Sequence, residues 1–463
     1  MNQDTITAIA TPPGTGGIAI IRLSGKDAFS IFSRIWTGAD INDAKSHTAH
    51  LGIIHRYNSV QTIDQAVATK FKAPGSFTGE NTVEISCHGS RLIQRQIIHT
   101  LIEAGARLAN PGEFSRRAFL NGKIDLTQAE AIADLIAAET KAAHDIAITQ
   151  TKGRLSRQLT EIREKLLHLS SMLELELDFS EEDVEFADRQ TLRQTATQLL
   201  ETIDSLTASY SAGQAMRNGI SVAIAGIPNT GKSTLLNHLC DDDKAIVSDI
   251  PGTTRDTIEA TAEFHGLQFR FIDTAGLRTT NDTIENIGIQ RATQSLAKAD
   301  FTIWLIDPTA PADLQKGTLE KHLGIINTER LHIAFTKSDI IPDPAIPIKQ
   351  IPETLGLPAI RRHSISPVTG EGISGLISAI AEQATANRDP GQETIIANAR
   401  HYESLLHSRE SLSSMIDSID NGLPTDLMAA DLRTTLTHIG EITGAITTPE
   451  ILSNIFSNFC IGK

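Results

Sequence analysis

The sequence of 463 residues is poor in cysteine and has no long apolar run. It contains three cysteines, Cys87, Cys240 and Cys460, which are odd in number and far apart along the chain. This pattern argues against a disulfide framework and against a closed zinc site. No stretch approaches the roughly 18 to 20 apolar residues of a membrane span, and no basic region followed by an apolar run opens the chain. We therefore predict a cytoplasmic protein without a membrane segment.

Positive charge is also scarce in this chain. It has 41 lysines and arginines against 56 aspartates and glutamates, which gives a formal net charge of −15 at pH 7. Nucleic-acid binding gains affinity from lysines and arginines that release counterions from the phosphate backbone. Any contact with RNA therefore needs a local basic patch or a partner subunit.

Apolar residues make up 40% of the chain and are patterned differently in four segments. Residues 1–121 mix short β-rich runs with Gly/Pro turns, which is typical of a small α/β domain. Residues 218–382 alternate strand-like and helix-like runs, beginning with the buried-strand run ISVAIAG. Residues 122–217 and 383–463 have apolar residues at spacings of three and four, which predicts packed helices. We predict a multidomain α/β plus all-α fold in which a helical domain carries a parallel-sheet α/β domain as an insertion.

The stretch GIPNTGKS, residues 226–233, has the context of a P-loop, since it follows a strand-like run and precedes a helix-like one. In such a loop, backbone amides cradle phosphates, Lys232 reaches the β and γ oxygens, and the Ser233 hydroxyl binds magnesium. The residues of this segment that we expect to bind the nucleotide are Asn229, Thr230, Gly231, Lys232, Ser233 and Thr234.

Four further motifs follow in the order and at the distances of a GTPase domain. GTTRD supplies Thr254, a candidate to close over the γ-phosphate, and DTAG supplies Asp273 for magnesium and the Gly276 amide for the γ-phosphate. TKSD supplies Asp339, whose carboxylate accepts two donors that guanine has and adenine lacks. SPVTGEG begins with Ser366, which we expect to contact the base. Together the motifs predict GTP as the nucleotide.

Two positions depart from the usual GTPase pattern. The base-recognition motif begins with Thr336, before Lys337, where asparagine is usual, so we expect weaker binding rather than lost specificity. Leu277 follows DTAG, where Ras-like enzymes have the glutamine that orients the attacking water, and leucine cannot do this. Hydrolysis therefore needs another positive charge and another group to position water. The side-chain oxygen of Asn229 could hold a monovalent cation beside the phosphates, although asparagine there is equally a turn former.

Long signatures outside these motifs point to a family. They are DTITAIATPPGTGGIAIIRLSG, SFTGENTVEISCHG, NPGEFSRRAFLNGKIDLTQAEAIADLI and the closing FCIGK. With the nucleotide motifs, they make the chain resemble the MnmE (TrmE) family of tRNA-modifying GTPases from end to end. The resemblance implies an N-terminal α/β folate-binding and dimerisation domain over residues 1–121 and a helical domain over 122–217 and 383–463. It also implies a Ras-like P-loop GTPase domain over 218–382, inserted into the helical domain.

The resemblance also implies roles in hydrolysis. Glu285 would orient the attacking water in place of a residue at 277 and would act with Lys232 in catalysis, although by pattern alone Glu285 is an ordinary exposed helix residue. Ser248 and Thr253 would also lie against the GTP. The implied metal ligands are Asn229, Ser248, Ile250 and Thr253 for potassium, and Ser233 and Thr254 for magnesium.

A folate site is implied at Arg22, Glu84, Lys123 and Lys463, the last reaching in from the tail. A carboxylate accepts the paired donors of a pterin ring, and cations suit the glutamate tail and the formyl oxygen of a folate. By pattern alone, each of these residues is more often a surface charge or part of a structural ion pair.

The closing sequence CIGK has two interpretations. The spacing of Leu452, Phe456 and Cys460 predicts a packed apolar cysteine. The resemblance instead places the tail near the one-carbon donor and makes Cys460 a candidate nucleophile. No residue that would lower the pKa of the Cys460 thiol is identifiable in the sequence.

The resemblance implies a homodimeric, potassium-activated GTPase that forms a heterotetramer with an FAD-containing MnmG (GidA)-type protein and acts on tRNA. The pair would add an aminomethyl or carboxymethylaminomethyl group to C5 of the wobble uridine. Its cofactors would be GTP, Mg²⁺, K⁺ and 5,10-methylene- or 5-formyl-tetrahydrofolate. An Era-like RNA-binding or ribosome-assembly switch is the alternative, but it needs an RNA-binding module that residues 383–463 lack. A mechanical, dynamin-like GTPase leaves the N-terminal third unexplained.

Overall fold

The computed structural model describes most of the chain as two compact units. The described residues are 4–178, 188–241, 259–273, 293–341, 343, 346–357, 359–386, 388–457, 459 and 462. The first unit comprises Met1–Ile136, Gln150–Leu199 and His407–Lys463, and the second comprises Ala137–Thr149 and Leu200–Leu406. The predicted helical segment of residues 122–217 therefore contributes to both units.

The elements alternate between strand-rich and helix-rich stretches. The strands are β1 (Ile6–Ile9), β2 (Gly16–Ser24), β3 (Trp36–Gly38), β4 (Thr48–His55), β5 (Thr62–Phe71), β6 (Thr82–Gly89), β7 (Arg107–Leu108), β8 (Ile220–Gly226), β9 (Glu259–Phe264), β10 (Leu267–Asp273), β11 (Phe301–Ile306), β12 (Leu331–Phe335) and β13 (Arg361–Ser364). The helices are α1 (Ala28–Ser33), α2 (Arg91–Glu103), α3 (Glu113–Leu120), α4 (Leu126–Ala137), α5 (Lys141–Thr151), α6 (Arg154–Asp178), α7 (Arg189–Ala208), α8 (Tyr210–Asn218), α9 (Lys232–Asp241), α10 (Ala312–His322), α11 (Ile346–Lys349), α12 (Ile351–Thr354), α13 (Ile373–Thr385), α14 (Ala399–Asp420), α15 (Thr425–Thr443) and α16 (Pro449–Ser457).

The first unit contains a seven-stranded sheet in the order β3-β4-β5-β6-β2-β1-β7. Only β1 and β7 run parallel among the neighbouring strands of this sheet. Along β2 the side chains alternate, so that Ala19, Ile21 and Leu23 are buried while Ile18 is 70% exposed. The buried side chains pack with residues of α1 and α2. The alternation shows that one face of the strand is fully covered, whereas the other face is exposed at Ile18.

The long helix α6 of the first unit carries the stripe of apolar residues predicted from the sequence. The buried members of the stripe are Leu155, Leu159, Ile162, Leu166, Leu169 and Leu173. α6 packs against α15, which comes from the other end of the chain. Arg189, at the start of α7, donates hydrogen bonds to Glu176 of α6 and to Thr425 of α15 and so ties the three helices together. Within the described residues, no helix combines the length and apolar character needed to cross a bilayer.

The second unit is built on a six-stranded sheet in the order β13-β12-β11-β8-β10-β9. All neighbouring strands are parallel except β9 and β10. Every residue of β8 is buried, as the run ISVAIAG predicted. Ile224 packs with apolar residues of α9 and α13 on one face, and Ala223 with those of α10 on the other. Covering of both faces explains why this strand is continuously apolar.

Candidate functional site

The P-loop connects β8 to α9 at the carboxyl edge of the second unit's sheet. Gly226 has φ +146°, and a Cβ at this position would lie 2.6 Å from the carbonyl oxygen of Leu305 on the neighbouring strand. Asn229 and Gly231 both have left-handed backbone, with φ +63° and +91°. Asparagine tolerates this conformation better than most residues. The turn therefore places its amides in a concave loop at the start of a helix, which is an anion-binding arrangement.

The polar side chains of the P-loop stabilise the turn. The buried Thr230 hydroxyl donates to the carbonyl oxygen of Ile227 at 2.9 Å. The Lys232 ammonium donates to the carbonyl oxygens of Gly226 at 3.0 Å and Ile227 at 2.8 Å, so its positive charge lies over the loop. The predicted ligands that the structure leaves exposed are Asn229, Ser233 and Thr234.

Asp273 lies beside the P-loop strand, as the DTAG motif requires. It ends β10 and pairs in register with Ile224 of β8. Its residue surface is 8% exposed. A carboxylate is thereby brought to the same sheet edge as Lys232 and Ser233, where carboxylate and hydroxyl oxygens suit a magnesium ion.

The base-recognition motif follows β12 at the same edge. The Thr336 hydroxyl is buried and donates to the carbonyl oxygen of Ile306 at 3.3 Å, so it ties this loop to β11. Lys337 has left-handed backbone with φ +61°. Asp339, the predicted guanine ligand, is exposed. The residue that replaces the usual asparagine is thus part of the scaffold of the loop.

The loop of residues 366–372 completes this edge. Ser366 is fully buried, its amide donates to the carbonyl oxygen of Glu371 at 2.9 Å, and its hydroxyl accepts from the Thr369 amide at 3.2 Å. A Cβ at Gly231 would lie 3.6 Å from Cγ of Pro367, so the P-loop and this loop adjoin. The structure therefore brings the described parts of four of the five motifs to one sheet edge, where open α/β sheets bind ligands.

Sequence reasoning missed Asp307, which follows β11 at this edge. Its carboxylate accepts a hydrogen bond from Lys337 at 2.7 Å and from the Thr309 hydroxyl at 2.7 Å. Burial raises the pKa of Asp307, but these hydrogen bonds outweigh it and the pKa lies below its ordinary value. An acidic residue directly after a buried parallel strand was the available signal, since such strand ends meet at one edge.

Several predicted site residues lie outside the described residues. They are Ser248, Ile250, Thr253, Thr254, Gly276, Leu277, Glu285, Cys460 and Lys463. The potassium site, the water-orienting glutamate and the reactive thiol therefore stay predictions. Among the described residues, no group of three or more His, Cys, Asp and Glu side chains is placed to hold a metal ion.

The first unit holds a second polar cluster, which contains Arg22 and Glu84 of the four predicted folate residues. Arg22 on β2 and Glu84 on β6 face each other and form an ion pair at 2.8 Å. The Arg22 guanidinium also lies over two aromatic rings, at 5.5 Å from the centre of Phe77 and 5.6 Å from that of Phe114. Nothing in the spacing of these two phenylalanines along the chain relates them to Arg22, so only the structure places them beside it.

Lys123 and the C-terminal tail also lie in the first unit. The Lys123 ammonium donates to the carbonyl oxygen of Pro74 at 3.0 Å, in the loop that carries Phe77. Gly462 has φ +96°, and a Cβ there would lie 2.1 Å from the carbonyl oxygen of Ile9, at the end of β1. The tail thus reaches the strand that pairs with β2, and only glycine fits that contact.

Comparison with known proteins agrees with this architecture. The family model for the MnmE helical domain matches residues 126–460, and the model for the N-terminus of the GTP-binding protein TrmE matches residues 5–123. The chain is 44% identical over 466 residues to the tRNA modification GTPase MnmE of Parabacteroides distasonis, covering 100% of both. It is 45% identical over 469 residues to that of Flavobacterium psychrophilum, covering 100% of this chain and 99% of that protein. The solved G domain of the T. maritima FeoB iron transporter is 28% identical, with a TM-score of 0.27, over 36% of this chain and 98% of that one.

Proposed function

Since the chain belongs to the MnmE (TrmE) family of tRNA modification GTPases, we propose that it is a potassium-activated GTP hydrolase that modifies C5 of the wobble uridine in certain tRNAs. The observation that carries this proposal is the convergence of the P-loop, Asp273, the Lys337 loop and the Ser366 loop at one sheet edge. A phosphate cradle and a guanine-recognition loop at one edge are what GTP binding requires.

In this proposal the second unit binds GTP and magnesium. The amides of the P-loop and the Lys232 ammonium hold the phosphates, and Asp339 accepts the donors of the guanine edge. Ser233 and Thr254 would hold the magnesium ion, with Asp273 acting through a water molecule. Once held there, the ion would supply positive charge for the phosphate oxygens during transfer. Gly276 donates its amide to the γ-phosphate.

Potassium takes the place of an arginine finger in the proposed mechanism. Asn229 is exposed and has left-handed backbone within the phosphate loop. Its amide oxygen, with oxygens of Ser248, Ile250 and Thr253, would hold the ion next to the phosphates. Leu277 has no polar atom with which to orient the attacking water, and the family resemblance gives this role to Glu285.

The proposed homodimer is supported by an exposed part of the seven-stranded sheet, on a face that Phe77 and Phe114 cover only near β1. Leu51, Val67, Ser86 and Ile20 pair across neighbouring strands and share this face, which is opposite to the one covered by α1 and α2. Leu51 is 65% exposed. Three of these four side chains are apolar, and an apolar patch on an exposed part of a sheet is typical of an interaction surface.

The second polar cluster supports a folate site in the first unit. Glu84 offers a carboxylate for the pterin donors, and the partly exposed ring of Phe77, against Arg22, offers flat apolar surface. Lys123 and Lys463 supply cations for the formyl oxygen or glutamate tail of 5,10-methylene- or 5-formyl-tetrahydrofolate. Cys460 is a nucleophile candidate on the same tail.

The remaining chemistry is assigned to a partner. We place the flavin on an MnmG (GidA)-type subunit in a heterotetramer, acting on tRNA in the cytoplasm. We retain the division into an N-terminal domain (1–121), a helical domain (122–217 and 383–463) and an inserted GTPase domain (218–382). Cells that lack this chain should have unmodified wobble uridines in the affected tRNAs, and normal modification in such cells would contradict the function.

GTP turnover in potassium and sodium chloride tests the proposed activation. The wild-type protein should hydrolyse GTP at least about tenfold faster in potassium, the scale of one lost electrostatic contact to the transition state. Asn229→Ala should hydrolyse GTP at the same slow rate in both salts. Asn237→Ala changes another exposed asparagine, in α9, and should retain the potassium response. Equal wild-type rates in both salts would rule out the potassium site.

A further inference from the structure

We propose that Asp307 is a positioning residue for guanine-nucleotide binding and that it acts through Lys337. This inference deepens the proposed function and rests on GTP binding at the sheet edge described above. Asp307 comes directly after β11, between the strand that leads to the P-loop and the strand that leads to the base-recognition motif. Its place in the sheet puts it next to both halves of the nucleotide site.

Asp307 is fixed in place by four hydrogen bonds with Thr309 and Gln315. Its Oδ1 accepts from the Thr309 amide at 2.9 Å and from the Thr309 hydroxyl at 2.7 Å. Its own amide donates to Oε1 of Gln315 at 2.8 Å, and its carbonyl oxygen accepts from Nε2 of Gln315 at 2.8 Å. Gln315 is 1% exposed and Asp307 is 5% exposed. The carboxylate therefore has one orientation, with Oδ2 directed at Lys337.

The Lys337 ammonium is fixed at two points. It donates to Oδ2 of Asp307 at 2.7 Å and to Oγ1 of Thr309 at 3.0 Å. The lysine side chain is still 35% exposed, whereas that of Asp307 is 8% exposed. The charged end is thus anchored while the side chain as a whole stays partly exposed at the sheet edge. A lysine that is ordered before the ligand arrives loses less conformational entropy when the ligand binds.

Anchoring of Lys337 also affects the position of Asp339. The backbone of Lys337 is left-handed, and its carbonyl oxygen accepts from the amides of Ile340 at 3.0 Å and Ile341 at 2.8 Å. Asp339 lies inside this turn and is exposed. A lysine fixed at its ammonium restrains the turn that presents the guanine-binding carboxylate. Asp307 itself reaches the nucleotide only through these neighbours.

The test is a double-mutant cycle that measures binding of fluorescent GDP to the full-length protein. Asp307→Asn should raise the Kd about tenfold, within the range of coupling for residues in contact. Asp307→Asn should add nothing in a Lys337→Met background. Asp313→Asn removes another acidic side chain near this loop, in the first turn of α10, and should leave the Kd unchanged.

Two results would overturn the inference. They are an unchanged Kd for Asp307→Asn, or an effect of equal size with and without Lys337, which would make the role of Asp307 structural only. If Asp307→Asn does not fold, Thr309→Ala is the second variant, because it removes the other of the two contacts that anchor the Lys337 ammonium. Thr309→Ala should raise the Kd by a smaller factor. An unchanged Kd for this variant would also overturn the inference. Failure of the wild-type protein to bind guanine nucleotides would contradict the proposed function itself.

Discussion

The two sheets of this protein differ in how completely other elements cover their two faces. The six-stranded sheet of the second unit is covered on both faces, and every residue of β8 is buried. The seven-stranded sheet of the first unit is covered by α1 and α2 on one face but only in part on the other, where Ile6 and Ala8 pack with Phe114 while Ile18 is 70% exposed. The doubly covered sheet offers ligands only its edge, and the proposed nucleotide site lies there. The partly covered sheet also offers an exposed area of one face, which suits a partner surface.

A large loss in the free energy of unfolding is expected when a core side chain of the doubly covered sheet is truncated. Ile224→Ala in β8 should lower the free energy of unfolding of the second unit by about 2–5 kcal/mol, because it leaves a cavity beneath α9 and α13. Unfolding in urea can be followed by the fluorescence of the buried Trp304, in a Trp36→Phe background that removes the other tryptophan. A loss below about 1 kcal/mol would show that this face is not tightly packed.

Acidification should lower the free energy of unfolding of the same unit. The group responsible is His332, at the sheet edge opposite the proposed nucleotide site. Burial, with a contribution from His363, lowers the pKa of His332 to about 4. Unfolded histidine titrates near pH 6.5, so between these values the unfolded chain takes up a proton that the folded one excludes. The stabilisation is therefore complete above about pH 6.5 and falls by about 1.4 kcal/mol per pH unit below it, toward pH 4.

Urea unfolding at pH 7 and pH 5, followed by Trp304 fluorescence, measures this dependence. His332→Gln keeps a polar side chain but cannot be protonated, so it should reduce the loss of stability between the two pH values. An equal loss in the wild-type protein and in His332→Gln would show that other groups cause it.

The smallest change in the free energy of unfolding is expected for Ile18, on the exposed part of the seven-stranded sheet. Ile18→Ala should change the free energy of unfolding of the first unit by less than about 0.5 kcal/mol, since the side chain is 70% exposed. Ile21→Ala, on the buried face of the same strand, should cost about 2–5 kcal/mol. Trp36 fluorescence in a Trp304→Phe background reports both values. In sedimentation, Ile18→Ala should weaken the proposed homodimer, and an unchanged dimer would remove this face from the interface.

Much of the architecture was predictable because local pattern and burial agree. The run ISVAIAG predicted a strand buried on both faces, and the spacing from Leu155 to Leu173 predicted a long packed helix. The P-loop was predictable because its glycines and lysine are close in sequence and its backbone needs left-handed φ angles. In each case the residues that make the pattern recognisable lie within a few positions of one another.

The sequence by itself determined the classes of the two α/β regions, the P-loop and the guanine motif, because each of them depends on residues that are neighbours along the chain. Only the tertiary structure decided that Lys337 is anchored by Asp307, 30 residues earlier, and that Arg22 pairs with Glu84, 62 residues later. Those contacts depend on which strands lie side by side and in what register. Strand order is set by the packing of whole faces and edges, which the spacing of residues along one segment does not record.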